Sequence, residues 1–144
     1  MYGNQGLNAY RQTSNQAAHY ADPHRLVQML MEGFLTRVAG AKGAMARGET
    51  ARKGTEIGKA ISIVDGLRAS LDMQRGGELA ENLSGLYEYM QGRLLEANLH
   101  DDADKLEEAA RLMREIKAGW DGIADEARKQ LDPAPEGSGL QVTG

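Results

Sequence analysis

The chain contains no cysteine, which excludes a disulfide scaffold, a Cys-ligated zinc module and a thiol nucleophile. Long apolar runs are also missing. The densest cluster, Leu26-Val27 and Met29-Leu30-Met31, is broken by Gln28 and is far shorter than the ~20 residues that span a bilayer. The opening residues Met1 to Gly6 carry neither the basic stretch nor the apolar run of a secretory signal. These features predict a chain that stays in the cytoplasm with no membrane insertion. Clustered positive charge is absent too: 17 Lys and Arg stand against 21 Asp and Glu for a net charge of −4, with the basic residues scattered singly. A phosphate-binding surface that works by counterion release is not indicated, so no nucleic acid is expected as a partner. Proline is limited to Pro23, Pro133 and Pro135.

What the chain does have is helical periodicity over a length suited to one core. Asp22-Pro23 is the arrangement of an N-cap followed by the first helical position. From there Leu26, Leu30, Phe34, Val38, Ala41 and Met45 recur at steps of three and four, predicting a first helix from Pro23 to about Arg47. After Gly48 the pattern resumes in Ile57, Ala60, Ile61, Val64, Leu67 and Leu71, predicting a second helix over 50–73. Arg75-Gly76-Gly77 breaks the chain. Leu79, Leu83, Leu86, Met90, Leu94 and Ala97 then define a third helix over 77–99, and Asp101 or Asp102 offers the next N-cap. The fourth, reaching about Leu131, has the clearest seam: Leu106, Ala109, Met113, Ile116, Trp120, Ile123 and Ala127 alternate strictly by three and four. Short connections make neighbouring helices antiparallel. The expected fold is all-α: an up-down-up-down four-helix bundle over 22–132. It is preceded by an N-terminal segment, 1–21, with Leu7, Tyr10 and Tyr20 among polar residues, and followed by a disordered tail, 133–144.

Enzyme and metal chemistries fail on spacing. A di-iron bundle needs Glu-x-x-His pairs, yet the positions three before His19, His24 and His100 are Gln16, Ala21 and Ala97. His19, Asp22 and His24 lie close in sequence, but Pro23 starts a helix between them and no further His or Cys closes a site. Asp101, Asp102 and Asp104 lack the central glycine and terminal glutamate of a calcium loop and suit helix capping better. Gly76-Gly77-Glu78 lacks the lysine and hydroxyl of a phosphate loop, and none of the five serines sits in a G-x-S-x-G elbow. The reading is not an enzyme, with no catalytic residues, no metal and no cofactor.

Apolar side chains beyond one seam remain: Val27, Met31 and Leu35 on the first helix, Ile63 on the second, Tyr87, Leu95 and Leu99 on the third. A wide core stripe absorbs such residues, whereas an uncovered helical groove would receive an amphipathic partner helix. Gly33, Gly40, Gly54, Gly58, Gly66, Gly85, Gly92, Gly119 and Gly122 fall inside the predicted helices, where glycine weakens an exposed position by ~1 kcal/mol relative to alanine. Softness, close helix approach and plain compositional drift are the three readings.

The order and spacing of several short patterns resemble the flagellin-specific export chaperones, the FliS family. They are Tyr10; Asp22-Pro23-His24-Arg25-Leu26 with Met29-Leu30 and Gly33; Lys59-Ala60-Ile61 leading to Leu71-Asp72; and Gly76-Gly77-Glu78-Leu79-Ala80 continuing through Asn82-Leu83, Leu86-Tyr87, Tyr89-Met90 and Leu94-Leu95 to Ala97-Asn98-Leu99. The resemblance covers residues 1 to about 124. It implies a cytosolic chaperone that binds the C-terminal region of flagellin as short helices in apolar grooves, prevents premature polymerisation and presents the client to the flagellar export apparatus. The N-terminal segment, through Leu7 and Tyr10, becomes a candidate lid over that surface. The residues chosen for the binding face are Ile57, Ile61, Val64, Leu79, Leu83, Tyr87 and Leu94, with a core role as the alternative for each and Leu7 and Tyr10 competing for the surface. The second function reading is a self-associating helical structural or adaptor protein whose surplus apolar surface forms a homodimer.

Overall fold

The computed structural model describes residues 22–131. The predicted N-terminal lid, with Leu7 and Tyr10, and the predicted tail lie outside the described residues, as does Asp132, the last residue of the expected bundle. Four helices follow one another: α1 Pro23–Ala46, α2 Thr50–Ala69, α3 Met73–His100 and α4 Ala103–Leu131. Among the described residues there is no strand.

Local signals set the helix ends. Asp22 caps α1 by accepting the Arg25 amide at 2.8 Å, with Pro23 in the first turn. At the other end Gly48 takes φ +71°, the Glu49 amide reaches back to the Ala44 carbonyl at 2.8 Å and the Gly48 amide to Met45 at 3.2 Å, the paired hydrogen bonds of a Schellman stop. The second helix ends at Ala69, four residues before the position its periodicity predicted. There the Ser70 hydroxyl bonds back to the Leu67 carbonyl at 2.7 Å, satisfying a carbonyl that another helical turn would have used. The break expected at Arg75-Gly76-Gly77 is a kink: Gly77 leaves helical geometry at φ 52°, ψ −126°, between a short first turn and the long body of α3. Asp102 caps α4 through the Asp104 amide at 3.0 Å. The neighbouring Asp101 holds the left-handed position, φ 51°.

Side-chain pairs establish the antiparallel order. Lys42–Glu107 and Gln28–Asp121, each 2.6 Å, join opposite ends of α1 and α4. Arg37–Glu56 at 3.3 Å joins α1 to α2, Gln91–Asp65 at 2.8 Å joins α3 to α2, and Arg93–Glu108 at 2.9 Å joins α3 to α4. Each helix thus packs on two neighbours, with α4 closing the ring against α1. The result is the up-down-up-down bundle that periodicity and short connections predict.

The core runs along the axis. Phe34, Met31, Ile57, Leu67, Met90, Leu94, Leu106 and Met113 are the largest fully buried side chains, with Val27, Leu35, Ile63, Ile116 and Trp120 packed partly buried around them. The additional apolar residues of α1 and α2 are therefore core. At the open end of the α1–α4 seam Trp120 stacks on His24, ring centroids 4.3 Å apart and 8° from parallel, while its Nε1 donates to the His24 carbonyl at 3.1 Å. No helix among the described residues is long and apolar enough to cross a membrane.

Candidate functional site

The seven large apolar side chains exposed among the described residues are very unevenly distributed. Met73, Leu79, Leu86, Tyr89, Leu95 and Leu99 all belong to α3, and only Ile123 does not. The cause is the rotation of α3. Its buried or core-packed positions are Ala80, Leu83, Tyr87, Met90, Leu94 and Ala97, a strict alternation of three and four. The predicted stripe shared Leu83, Met90, Leu94 and Ala97 but ran through Leu79 and Leu86 instead of Ala80 and Tyr87. Turning the helix toward the smaller Ala80 and the larger Tyr87 leaves Leu79 62% and Leu86 38% exposed.

Two surfaces result. On the α4 side, the Tyr89 hydroxyl donates to Glu108 at 2.6 Å and Arg93 Nε donates to the same carboxylate at 2.9 Å, with the guanidinium 5.4 Å from the Tyr89 ring centroid. These contacts set the register. Counting down the antiparallel pair, Leu86 lies level with the Leu112 to Ile116 turn of α4, and Leu79 with the turn from Gly119 to Ile123. A side chain added at Gly119 would meet nothing within 4 Å. The strict seam of α4 fades here, buried at Leu106, Ala109 and Met113 but open at Ile123; Ala127 lies outside the described side chains. On the α2 side, Gln91 spans the joint by donating to the Ile61 carbonyl at 3.2 Å and to Asp65. One turn further along, Leu95 and Leu99 face water at 59% and 75% exposure.

Of the residues chosen from sequence, Leu79 is exposed, and Ile61 and Leu83 are half-buried against the core. Ile57, Val64, Tyr87 and Leu94 lie in the core cluster with 2% exposure or less, beneath the surface rather than on it. Burial pushes the Tyr87 hydroxyl up to about 12. Periodicity assigns Leu86 and Ile123 to core seams, gives no sign of Tyr89, and marks Leu95 and Leu99 only as apolar residues beyond one seam. The signal for the last two was present: they fall at i and i+4, off every core stripe of their helix.

The residues of the metal readings have local roles, although the buried Nε2 of His24 has no hydrogen-bond partner among the described residues. Asp22 caps α1 and His24 stacks on Trp120; Asp102 caps α4, and Asp101 takes an ion pair from Lys53. His19 lies outside the described residues. What the geometry offers is two exposed apolar edges on one helix, Leu79 and Leu86 toward α4 and Leu95 and Leu99 toward α2, each suited to holding another helix.

A family model described as flagellar protein FliS matches residues 6–127. The chain is 52% identical over 125 residues to the flagellar secretion chaperone FliSB of Pseudomonas aeruginosa, covering 86% of this chain and 99% of that protein. It is 42% identical over 132 residues to the flagellar secretion chaperone FliS of Salmonella typhimurium, covering 90% and 98%, and 28% identical over 122 residues to that of Bacillus subtilis, covering 85% and 90%. With the model matched over most of its length and relatives aligned nearly end to end, this chain belongs to the FliS family of flagellar proteins.

Proposed function

We propose that the protein is a cytoplasmic chaperone of flagellar export that binds the C-terminal segment of flagellin, keeps it from polymerising and delivers it to the flagellar export apparatus. The observation that carries this reading is the concentration of exposed large apolar side chains on one helix of a four-helix bundle. A client that is disordered when free loses conformational entropy on binding, so it requires a long apolar contact rather than one deep pocket. The contact uses both edges of α3, Leu79 and Leu86 toward α4 and Leu95 and Leu99 toward α2, with Ile61 and Leu83 at the margins and Ile57, Val64, Tyr87 and Leu94 in the core beneath. Leu7 and Tyr10 of the N-terminal segment compete for it until the client arrives. The relatives' being flagellar secretion chaperones supports this role.

Calorimetry of the full chain with flagellin's C-terminal segment tests it. One-to-one binding with a large negative heat-capacity change is expected, lost when that segment is deleted from flagellin and weakened at least tenfold by Leu79→Asp with Leu86→Asp. A binding signal that survives deletion of the segment would place the client contact elsewhere. Tyr10→Ala should raise or lower client affinity with the bundle intact; an unchanged affinity removes Tyr10 from the mechanism.

A further inference from the structure

The face of α3 turned away from the core carries a second register. Glu81, Gly85, Glu88, Gly92, Leu95 and Leu99 follow one another at steps of four, three, four, three and four, and all six are exposed. This is the a/d spacing of a helix–helix seam, drawn over about 27 Å of helix, with no neighbour on it among the described residues. A Cβ added at Gly85 or Gly92 would meet nothing within 4 Å. Neither glycine is therefore required by packing inside the bundle, although both weaken the helix; small residues on an outward seam let a second backbone come close.

The charge along the seam is equally specific. Glu81 and Glu88 form no ion pair among the described residues. Every other described glutamate except Glu78, which is also on α3, does. The nearest basic residue on the same helix body, Arg93, is held by Glu96 and Glu108. The seam thus has an acidic, unneutralised half toward the N-terminus and an apolar half toward the C-terminus.

We propose that this seam docks a basic amphipathic helix running antiparallel to α3, with its apolar residues on Leu95 and Leu99 and two Lys or Arg one heptad apart meeting Glu88 and Glu81. The proposal rests on the chaperone reading and specifies the pattern and direction of the client segment. Antiparallel alignment places the partner's basic residues toward its own C-terminus, where the helix dipole favours cations. A second copy of this chain fits poorly. Parallel self-pairing sets Glu81 and Glu88 against themselves, and antiparallel self-pairing sets Glu81 against Leu99.

The test uses the full chain and two probes. The first is a set of designed helical peptides of about three heptads, read by fluorescence anisotropy: one with an N-terminal leucine pair followed by two lysines seven residues apart, one with glutamates replacing the lysines, and one with the order reversed. The lysine peptide should bind at least tenfold more tightly than the other two and weaken in 0.5 M salt, since surface charges are screened beyond about 10 Å already at 0.1 M. The E81K/E88K variant should reverse the preference toward the glutamate peptide. Because both carboxylates are exposed and unpaired, this variant should keep the wild-type circular dichroism. Equal binding of all three peptides, or an unchanged preference in E81K/E88K, overturns the proposal. The second probe is flagellin's C-terminal segment. If it binds the wild type and E81K/E88K alike, the seam inference falls while the chaperone reading stands. If it fails to bind the wild type, the chaperone reading falls and the peptide preference alone decides the seam.

Discussion

Lys53, on α2 and 4% exposed, donates from Nζ to the Asn98 carbonyl at 2.9 Å and to the Asp101 carboxylate at 2.5 Å. One buried cation thereby closes the C-terminus of α3 and holds the turn into α4, at the end of the helix where the dipole favours positive charge. Asp101 occupies a left-handed backbone position, which a residue with a Cβ adopts at a cost of ~1–2 kcal/mol. Replacing Asp101 by alanine should remove about 2 kcal/mol of stability by leaving a buried lysine half-satisfied, below the full penalty for a broken buried pair because its carboxylate is well solvated. Asp101→Gly should recover ~1 kcal/mol of that loss by relaxing the backbone. Lys53→Met should be closer to neutral than Asp101→Ala, because it removes the buried charge with its partner's bond. Urea unfolding of the three variants checks the ranking.

Glycine substitutions should separate by position. Gly85→Ala adds a methyl group in open space on a helix and should stabilise the fold by about 1 kcal/mol, seen as a rise of a few degrees in Tm. Gly76→Ala would place a Cβ 2.7 Å from the Ala80 methyl and should destabilise by ~1–3 kcal/mol. If Gly85 serves a docking seam, the stabilised variant should also bind the lysine peptide less tightly. Thermal unfolding combined with anisotropy separates the two effects.

Acid should weaken the bundle through three carboxylates. The hydrogen bond from Lys42, then that from Arg114, holds Glu107 below the usual glutamate value of 4.5. Those from the Tyr89 hydroxyl and Arg93 do the same for Glu108, and that from Lys117 lowers Asp121 from 3.8. A depressed folded-state pKa gives stability that is present above the unfolded value and lost as pH falls through the folded one. The urea midpoint should therefore drop on going below about pH 4.5, and Glu107→Gln should flatten that fall. At the alkaline side the sign reverses. Burial raises Tyr87 from 10.0 to about 12, so stability should decline between those values, less so in Tyr87→Phe. Urea titrations at fixed pH values measure both limbs.

The start of α1 should be reported by Trp120, the single tryptophan. Asp22→Ala removes the N-cap hydrogen bond and should cost about 1 kcal/mol. Trp120→Phe keeps an aromatic ring against His24 but loses the bond to its carbonyl, for a similar cost of ~1 kcal/mol. In Asp22→Ala, Trp120 emission should shift to the red before the helical circular dichroism is lost. Simultaneous loss of both signals would show that this corner does not open separately.

The four helices, the Asp22 cap, a cap at Asp101 or Asp102 and the Gly48 stop were legible in the sequence, because each depends on residues within one or two turns of each other; the structure chose Asp102. Periodicity also found the interior of α1, α2 and most of α4, where a single apolar stripe is available. It could not place α3. Leu79, Leu83, Leu86 and Met90 satisfy helical spacing as well as Ala80, Leu83, Tyr87 and Met90 do, and the choice depends on the surfaces that α2 and α4 present, far away along the chain. Only the packed bundle made that choice, burying Tyr87 and turning Leu79, Leu86, Leu95 and Leu99 outward. The fold follows from local chemistry repeated four times. The exposed face follows from how four amphipathic arcs share one interior, which is a property of the assembled helices and of none of them alone.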